Sequence, residues 1–177
     1  NNKKGKKIIL NFRFNGWSKY SDYQKDDKIN AKIAKLIKIK KIEPKIKVKK
    51  NLKKIVLEGG AIDVNGQGSI LLTRECLLSK IQERNPGVNK LNLENAFRKY
   101  LNLKNFIWLN KGIKGDDTHG HIDDIARFVS PNTIMAAIEK NKKDKNFKNL
   151  NENLQILKKS SNTNGKKFKI IKIPMPK

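Results

Sequence analysis

The 177-residue chain carries 41 Lys and Arg against 16 Asp and Glu, giving a net charge of +25, and 37% of its residues are hydrophobic. This length suits one domain with a buried core, and the hydrophobic content with only five prolines excludes wholesale disorder. No apolar run approaches the roughly 18 residues that a bilayer crossing needs, so we expect no membrane partner.

The positive charge lies mostly on lysines spread along the chain, a composition typical of an AT-rich genome. Arginine, whose guanidinium binds phosphates and base edges bidentately, occurs at only five positions: Arg13, Arg74, Arg84, Arg98 and Arg127. Aromatic residues do not alternate with basic ones as they do in a base-stacking surface. We therefore expect no specific nucleic-acid partner.

The single cysteine, Cys76, excludes an internal disulfide and favours a reducing compartment, so we expect a cytoplasmic location. The chain begins at Asn1 rather than Met, so a secretion signal on the full gene product stays an open alternative. Nothing in the composition indicates an oligomeric state.

The first predicted element is a strand over residues 8–14, which the pair Asn15-Gly16 ends. Residues 26–41 predict an amphipathic helix, with Asp26 or Asp27 as its N-cap and lysines on its solvated face. The apolar residues at helical spacing are Ile29, Ile33, Leu36 and Ile37.

Two short strands follow, over residues 45–48 and from residue 53 to Glu58-Gly59-Gly60. Residues 61–73 alternate on either side of Asn65-Gly66, which predicts a hairpin. The remaining predicted elements are helices over 74–80 and 93–101, a buried strand over 105–109, strands over 121–129, 132–138 and 168–176, and a helix marked by Phe147, Leu150, Leu154 and Leu157. This succession indicates an α/β or α+β fold in which strand pairs followed by a helix recur loosely.

The stretch "GDDTHGHIDD", residues 115–124, places both histidines of the chain among four acids. On a strand, His119, His121 and Asp123 would share one face in an H-x-H-x-D array, as in some zinc hydrolases. A complete site would need further acids as ligands, because no third histidine exists, and acids alone suit zinc poorly. A metal-dependent hydrolase is one alternative.

Without metal, His121 is a proton shuttle at neutral pH and Asp123 a fixed acceptor on the same face of the predicted strand. Glu58 adds a carboxylate at a strand end, beside two glycines that permit close approach. Carboxylates that converge on one pocket fit a planar guanidinium. The spacing itself indicates a polar pocket for a cationic ligand; a solvated turn at Glu58 and a locally hydrogen-bonded His121 stay open.

The segments "LNFRFNGW…KYSDYQKDD", "VLEGGAIDVNGQGSILLTRECLLS…RNPG" and "FIWLNKGIKGDDTHGHIDDIARFV" resemble the agmatine deiminase family, which includes the bacterial Porphyromonas-type peptidylarginine deiminases. The resemblance extends over residues 8–173 and includes "NLQILKKS". Its most specific part is the pair of motifs E-G-G and G-D-x-T-x-G-H-x-D, about sixty residues apart.

The resemblance implies part of a pentein α/β propeller, with about three of its five ββαβ-type modules in residues 1–177. It implies a cysteine thiolate that attacks a guanidinium and forms a thiouronium intermediate, with no metal or organic cofactor. By motif, His121 is the general acid/base, Asp123 binds the guanidinium and Glu58 is an active-site carboxylate. Trp17 either borders the substrate pocket or is a core aromatic. Agmatine is the favoured substrate, ahead of peptidyl-arginine.

Two family segments have no counterpart in the chain: R-D-x-G-P, and a glycine-rich G-G-G-x-I-H-C-like motif that holds the nucleophile. Cys76 lies in the predicted helix over residues 74–80, where a small buried structural role is expected. His119 stands where the family more often has Asp or Asn. We therefore expect residues 1–177 to form a partial deiminase domain that is inactive alone and marginally stable. A non-catalytic basic binding protein is the remaining alternative.

Overall fold

The computed structural model of the chain describes residues 5–176. Short strands and helices alternate along it, as expected for an α/β fold. In chain order these elements are β1 (Ile9–Leu10), α1 (Ile29–Leu36), β2 (Lys41–Ile42), β3 (Lys45–Val48), β4 (Asn51–Lys54), β5 (Asp63–Val64), β6 (Ser69–Thr73), α2 (Arg74–Leu78), α3 (Lys90–Leu101), β7 (Asn105–Leu109), β8 (Ala126–Ser130), β9 (Thr133–Ile138), α4 (Phe147–Lys159) and β10 (Lys169–Pro174). No helix within residues 5–176 combines the length and apolar character that crossing a membrane requires.

These residues divide into two compact units. Unit 1 comprises the described chain up to Glu58 together with Arg84–Leu101. Unit 2 comprises Gly59–Glu83 together with the described chain from Asn102. The residues predicted to act on a substrate are divided accordingly, with Trp17 and Glu58 in unit 1 and His121 and Asp123 in unit 2.

Unit 1 is built from short strands and from helices α1 and α3. β1 pairs in parallel with β2, and β3 forms an antiparallel hairpin with β4 that packs against α3. The predicted strand over residues 8–14 is present as β1 and a further parallel bridge between Arg13 and Val56. Arg13 donates its N–H to the Ile55 carbonyl and accepts the Leu57 N–H, so the chain is held in extended form just before Glu58.

Helix α1 is shorter than the predicted helix over residues 26–41 and covers eight residues. The N-cap prediction is wrong: Lys28 precedes α1, and no side chain caps its first turn. Asp27 instead accepts the Phe14 N–H at 2.8 Å and pairs with the Arg13 guanidinium at 2.6 Å. The apolar face of α1 is exposed, with Leu36 at 81%.

Unit 2 repeats one arrangement twice: an antiparallel strand pair, then a helical segment, then a strand that returns parallel to the second. β5 and β6 form the first pair, and β7 returns beside β6. β8 and β9 form the second pair, and β10 returns beside β9 after α4. The core is supplied by both sheets, by α4, by the turn before β8 and by the residue before β10: Leu71, Ile107, Leu109, Ile122, Ile125, Ala126, Ile134, Ala136, Leu150, Leu157 and Phe168.

The structure confirms the hairpin around Asn65-Gly66, the buried strand over residues 105–109 and the helix that begins at Phe147. The predicted strand over residues 121–129 is wrong at its start, because β8 begins only at Ala126. The residues before it form a turn, and this difference decides how the acidic and histidine cluster is built.

Candidate active site

The loop between β7 and β8 is attached to the start of α2 at two glycines. The Gly112 N–H donates to Glu75 Oε2 at 2.7 Å, and the Thr73 hydroxyl donates to the Gly120 carbonyl at 2.5 Å. A Cβ built on Gly112 would lie 2.6 Å from Gly120 Cα. Gly120 has a φ of +85° and lies against Glu75. A side chain at either glycine would therefore force the loop to move.

Asp116 organises the part of this loop that leads to His121. Its Oδ1 accepts both the N–H and the hydroxyl of Thr118, at 2.7 and 2.5 Å. Its Oδ2 accepts the N–H groups of Gly120 and His121, at 2.7 and 3.3 Å. Burial raises the pKa of the Asp116 carboxyl, but the hydrogen bonds from Thr118, Gly120 and His121 outweigh it, so the pKa is lowered.

A turn, not a strand, follows His121. The Gly60 carbonyl accepts the N–H groups of Ile122 and Asp123, at 3.1 and 3.3 Å. The Ile122 carbonyl in turn accepts the N–H groups of Ile125 and Ala126. Consecutive N–H groups directed at one carbonyl are incompatible with the alternation of a strand, so the expected period-two spacing does not apply here.

The turn nevertheless brings His121 and Asp123 together, with 3.8 Å between His121 Nδ1 and Asp123 Oδ1. The His121 side chain is 8% exposed and the Asp123 side chain 33%, so the imidazole is enclosed while the carboxylate reaches solvent. A Cβ on Gly60 would lie 2.7 Å from Asp123 Oδ2 and closer still to His121 Nδ1. Glycine at this position is what admits both side chains.

Asp124, next to the His121–Asp123 pair, lies in surroundings that disfavour the negative charge of its carboxylate. Burial raises the pKa of the Asp124 carboxyl, and the charges of Asp116, Asp123 and Asp117 raise it further, whereas His121 lowers it. The pKa of the Asp124 carboxyl is therefore above its usual value.

Cys76, in α2, lies close to His121. It is fully buried, its N–H donates to the Thr73 hydroxyl oxygen at 3.1 Å, and its Sγ lies within 4.8 Å of a ring nitrogen of His121. The burial agrees with the structural role expected for this cysteine, whereas its proximity to His121 could not be inferred from the sequence.

His119 takes no part in the His121–Asp123 pair. Its Nε2 lies 3.3 Å from Ser79 Oγ, and its backbone has a φ of 65°. Among residues 5–176, His119 belongs to no group of three ligand-type side chains whose donor atoms lie within 4.8 Å of one another. The H-x-H-x-D array predicted from a strand is therefore not assembled.

Glu58 is buried in unit 1, where Arg84 Nε lies 3.2 Å from its Oε1. Trp17, also in unit 1, is half-buried in a 3-10 turn over Gly16–Ser18 and has a φ of 58°. Its ring packs edge-on against Phe14, with 5.0 Å between centroids, and against Tyr20. These contacts are those of an aromatic cluster; the role of Trp17 at a substrate stays a prediction.

The model of the Porphyromonas-type peptidyl-arginine deiminase family matches residues 2–177. The chain belongs to this family. A Latilactobacillus sakei protein named as a candidate agmatine deiminase is 35% identical to the present chain over 181 residues. The match covers 99% of the present chain and 47% of the L. sakei protein.

Two solved structures share the pentein fold with this deiminase-family chain. The agmatine deiminase of Enterococcus faecalis has a TM-score of 0.82 and 29% identity, covering 94% of this chain and 44% of that one. A cysteine-to-serine variant of the C. jejuni agmatine deiminase with substrate bound has a TM-score of 0.79 and 34% identity, covering 97% and 46%. The deiminase-family chain spans between about a third and about half the length of the relatives it matches.

Sequence reasoning did not single out three residues that hold the predicted site residues or their loop in place. Asp116 orders the loop, Glu75 anchors it, and Arg84 binds Glu58. Asp116 and Arg84 lie within the motifs G-D-x-T-x-G-H-x-D and R-N-P-G that carry the resemblance, so a signal was present. Their partners became visible only in the folded chain.

Proposed function

We propose that this chain contributes His121, Asp123 and Glu58 to a guanidine deiminase that hydrolyses agmatine to N-carbamoylputrescine and ammonia. The observation that carries the proposal is the enclosed His121 imidazole 3.8 Å from a partly exposed Asp123 carboxylate. Such a pair can bind a cation and move protons at neutral pH. Family membership and the agmatine deiminases among the relatives support this reaction ahead of other uses of the pair.

A guanidinium is a weak electrophile because its charge is delocalised, so it needs a strong nucleophile and a fixed orientation. Asp123 and Glu58 hold the cation through charge-assisted hydrogen bonds. A cysteine thiolate adds to the guanidinium carbon, and His121 donates a proton to the departing nitrogen. Ammonia then departs, and the covalent intermediate that remains is a thiouronium. His121 then takes a proton from water, which attacks the same carbon and releases the thiolate and the urea product.

The nucleophile of this scheme is a cysteine other than Cys76. Cys76 is fully buried in the middle of α2, so its sulfur is not exposed to a substrate in the folded chain. The substrate-bound C. jejuni structure is a cysteine-to-serine variant, in line with a cysteine that reacts. Because Cys76 is the single cysteine of the 177 residues, we propose that this polypeptide by itself binds agmatine without turning it over.

The test is calorimetric titration of the 177-residue chain with agmatine, together with an assay for released ammonia. Asp123→Asn is expected to weaken agmatine binding by about tenfold to a hundredfold, since a hydrogen bond to a charged group contributes about 1.5–3 kcal/mol. Asp117→Asn, at an exposed loop acid, is the matched control and should leave the affinity unchanged. Equal affinities for the native chain and Asp123→Asn would exclude Asp123 as a guanidinium ligand.

Substrate choice is tested in the same titration with benzoyl-arginine amide, which has the same guanidinium and a peptide-like far end. We expect agmatine to bind more tightly than this compound. The reverse order would assign the site to peptidyl-arginine. Ammonia release by the purified 177-residue chain would contradict the exclusion of Cys76.

A further inference from the structure

A buried ion pair ties Glu58 to Arg84 inside unit 1. The Nε of Arg84 lies 3.2 Å from Oε1 of Glu58, and the two side chains are 0% and 5% exposed. Removing two charges from water is costly, and breaking such a pair at one partner leaves an uncompensated buried charge. Because arginine stays protonated in proteins, Arg84 is a permanent counter-charge for this carboxylate.

The neighbouring residue, Asn85, holds the backbone two positions before Glu58. Its side-chain Oδ1 accepts the Val56 N–H, and its side-chain amide donates to the Val56 carbonyl, both at 2.9 Å. The asparagine amide thus pairs with Val56 as a neighbouring strand would. Asn85 fixes the main chain, while Arg84 reaches the carboxylate at the end of the same segment.

We propose that the Arg84–Asn85 dipeptide positions Glu58 for catalysis: Asn85 sets the path of the backbone and Arg84 sets the orientation of the carboxylate. This inference rests on the proposed function, in which Glu58 binds the substrate guanidinium. Arg84 provides Glu58 with a guanidinium from within the protein, which is the same chemical group as that of the proposed substrate.

Arg84 is therefore a positioning residue that acts through Glu58. Lysine cannot replace it fully, because an ammonium is a point charge without a planar set of donors. A pair with the same separation exists elsewhere in unit 1, where Arg98 Nη2 lies 3.2 Å from Glu94 Oε2 on the surface of α3. The Arg98 side chain is 44% exposed, and solvent can replace its contact. The Arg98–Glu94 pair therefore provides a control that is matched to the Arg84–Glu58 pair in chemistry and distance.

The test follows the ¹³Cδ resonance of Glu58, assigned by its absence in Glu58→Gln. In Arg84→Met we expect this resonance to shift. Ethylguanidinium added to the solution should move the resonance back toward its native position, and this effect should saturate with increasing concentration. Ethylammonium should not do so. Arg98→Met should leave the resonance in place. An unmoved Glu58 resonance in a folded Arg84→Met chain would overturn the proposal.

Agmatine titrations separate this inference from the proposed function. We expect Arg84→Lys to bind agmatine about tenfold or more weakly, because small misplacements of a binding group are costly. If the native chain binds no agmatine, the proposed function fails, and the Glu58 resonance still decides whether Arg84 positions it. If the native chain binds agmatine, and Arg84→Lys has the same affinity for agmatine and the same Glu58 resonance, the positioning role of Arg84 is wrong.

Loss of folding in Arg84→Met is resolved by a double variant. If Arg84 acts through Glu58, Arg84→Met combined with Glu58→Gln also removes the buried charge that has lost its Arg84 partner and should recover the native thermal transition. A double variant that stays unfolded would show that Arg84 acts through other contacts, which overturns the inference.

Discussion

The backbone of Gly60 lies so close to the side chain of Asp123 that a Cβ on Gly60 would stand 2.7 Å from Asp123 Oδ2. The Gly60 carbonyl also accepts the Asp123 N–H, so the same residue holds the turn and leaves room for its carboxylate. Gly60 of the E-G-G motif is thereby linked to Asp123 of the G-D-x-T-x-G-H-x-D motif, and both residues belong to unit 2.

We predict that Gly60→Ala displaces His121 and Asp123 and lowers the free energy of unfolding by about 1–3 kcal/mol, the usual cost of overpacking. Urea denaturation and agmatine titration measure the two effects. Gly59→Ala is the matched control, because a Cβ there would meet no atom within 4 Å. Equal losses in both variants would contradict the steric explanation.

Asp116→Asn is predicted to destabilise the chain at neutral pH. One carboxylate oxygen becomes an amide that faces N–H donors, and unsatisfied buried polar groups cost about 1–3 kcal/mol. Because the folded-state pKa of Asp116 is lowered from 3.8, its ionised form contributes stability above that value, which is lost as pH falls through the lowered pKa. The difference in unfolding free energy between the native chain and Asp116→Asn should therefore shrink as the pH falls through the lowered pKa. Urea denaturation as a function of pH checks this, and a pH-independent difference would be evidence against it.

Asp124→Asn is predicted to have the opposite sign. The pKa of Asp124 is raised above 3.8, so ionising this carboxyl disfavours the folded state as pH rises through the raised value. The variant should be more stable than the native chain at pH 7, by less than about 1.4 kcal/mol for each pKa unit after allowance for solvent screening. Below 3.8 the difference should vanish. Exposed Asp22→Asn serves as the control in thermal unfolding, and an unchanged or lowered stability of Asp124→Asn at pH 7 would refute the prediction.

Cys76 is predicted to resist thiol reagents in the folded chain because its side chain is fully buried. Reaction must wait for opening around α2, so labelling should be about a hundredfold slower than in urea, which corresponds to roughly 3 kcal/mol of opening free energy. Mass spectrometry after timed alkylation follows the reaction. Rapid stoichiometric labelling under native conditions would show an accessible thiol and reopen the question of its reactivity.

The sequence by itself determined the elements whose signals are local. The Asn65-Gly66 turn predicted its hairpin, and the apolar spacing from Phe147 predicted α4, because both depend on residues a few positions apart. The motifs around Glu58 and His121 were also sufficient for the family. Local spacing was misleading for α1, whose apolar face predicts burial although Leu36 is 81% exposed.

Only the tertiary structure decided how the predicted site residues are held within each unit. His121 and Asp123 were paired from the alternation of a strand, yet a turn hydrogen-bonded to Gly60 brings them together. Periodicity within a short window carries no information about a carbonyl about sixty residues away. The four donors on Asp116 and the buried Arg84–Glu58 pair likewise depend on which polar groups meet away from water. Residue types can name the chemistry of this site, whereas its geometry arises from close backbone approaches and desolvated contacts that exist only after folding.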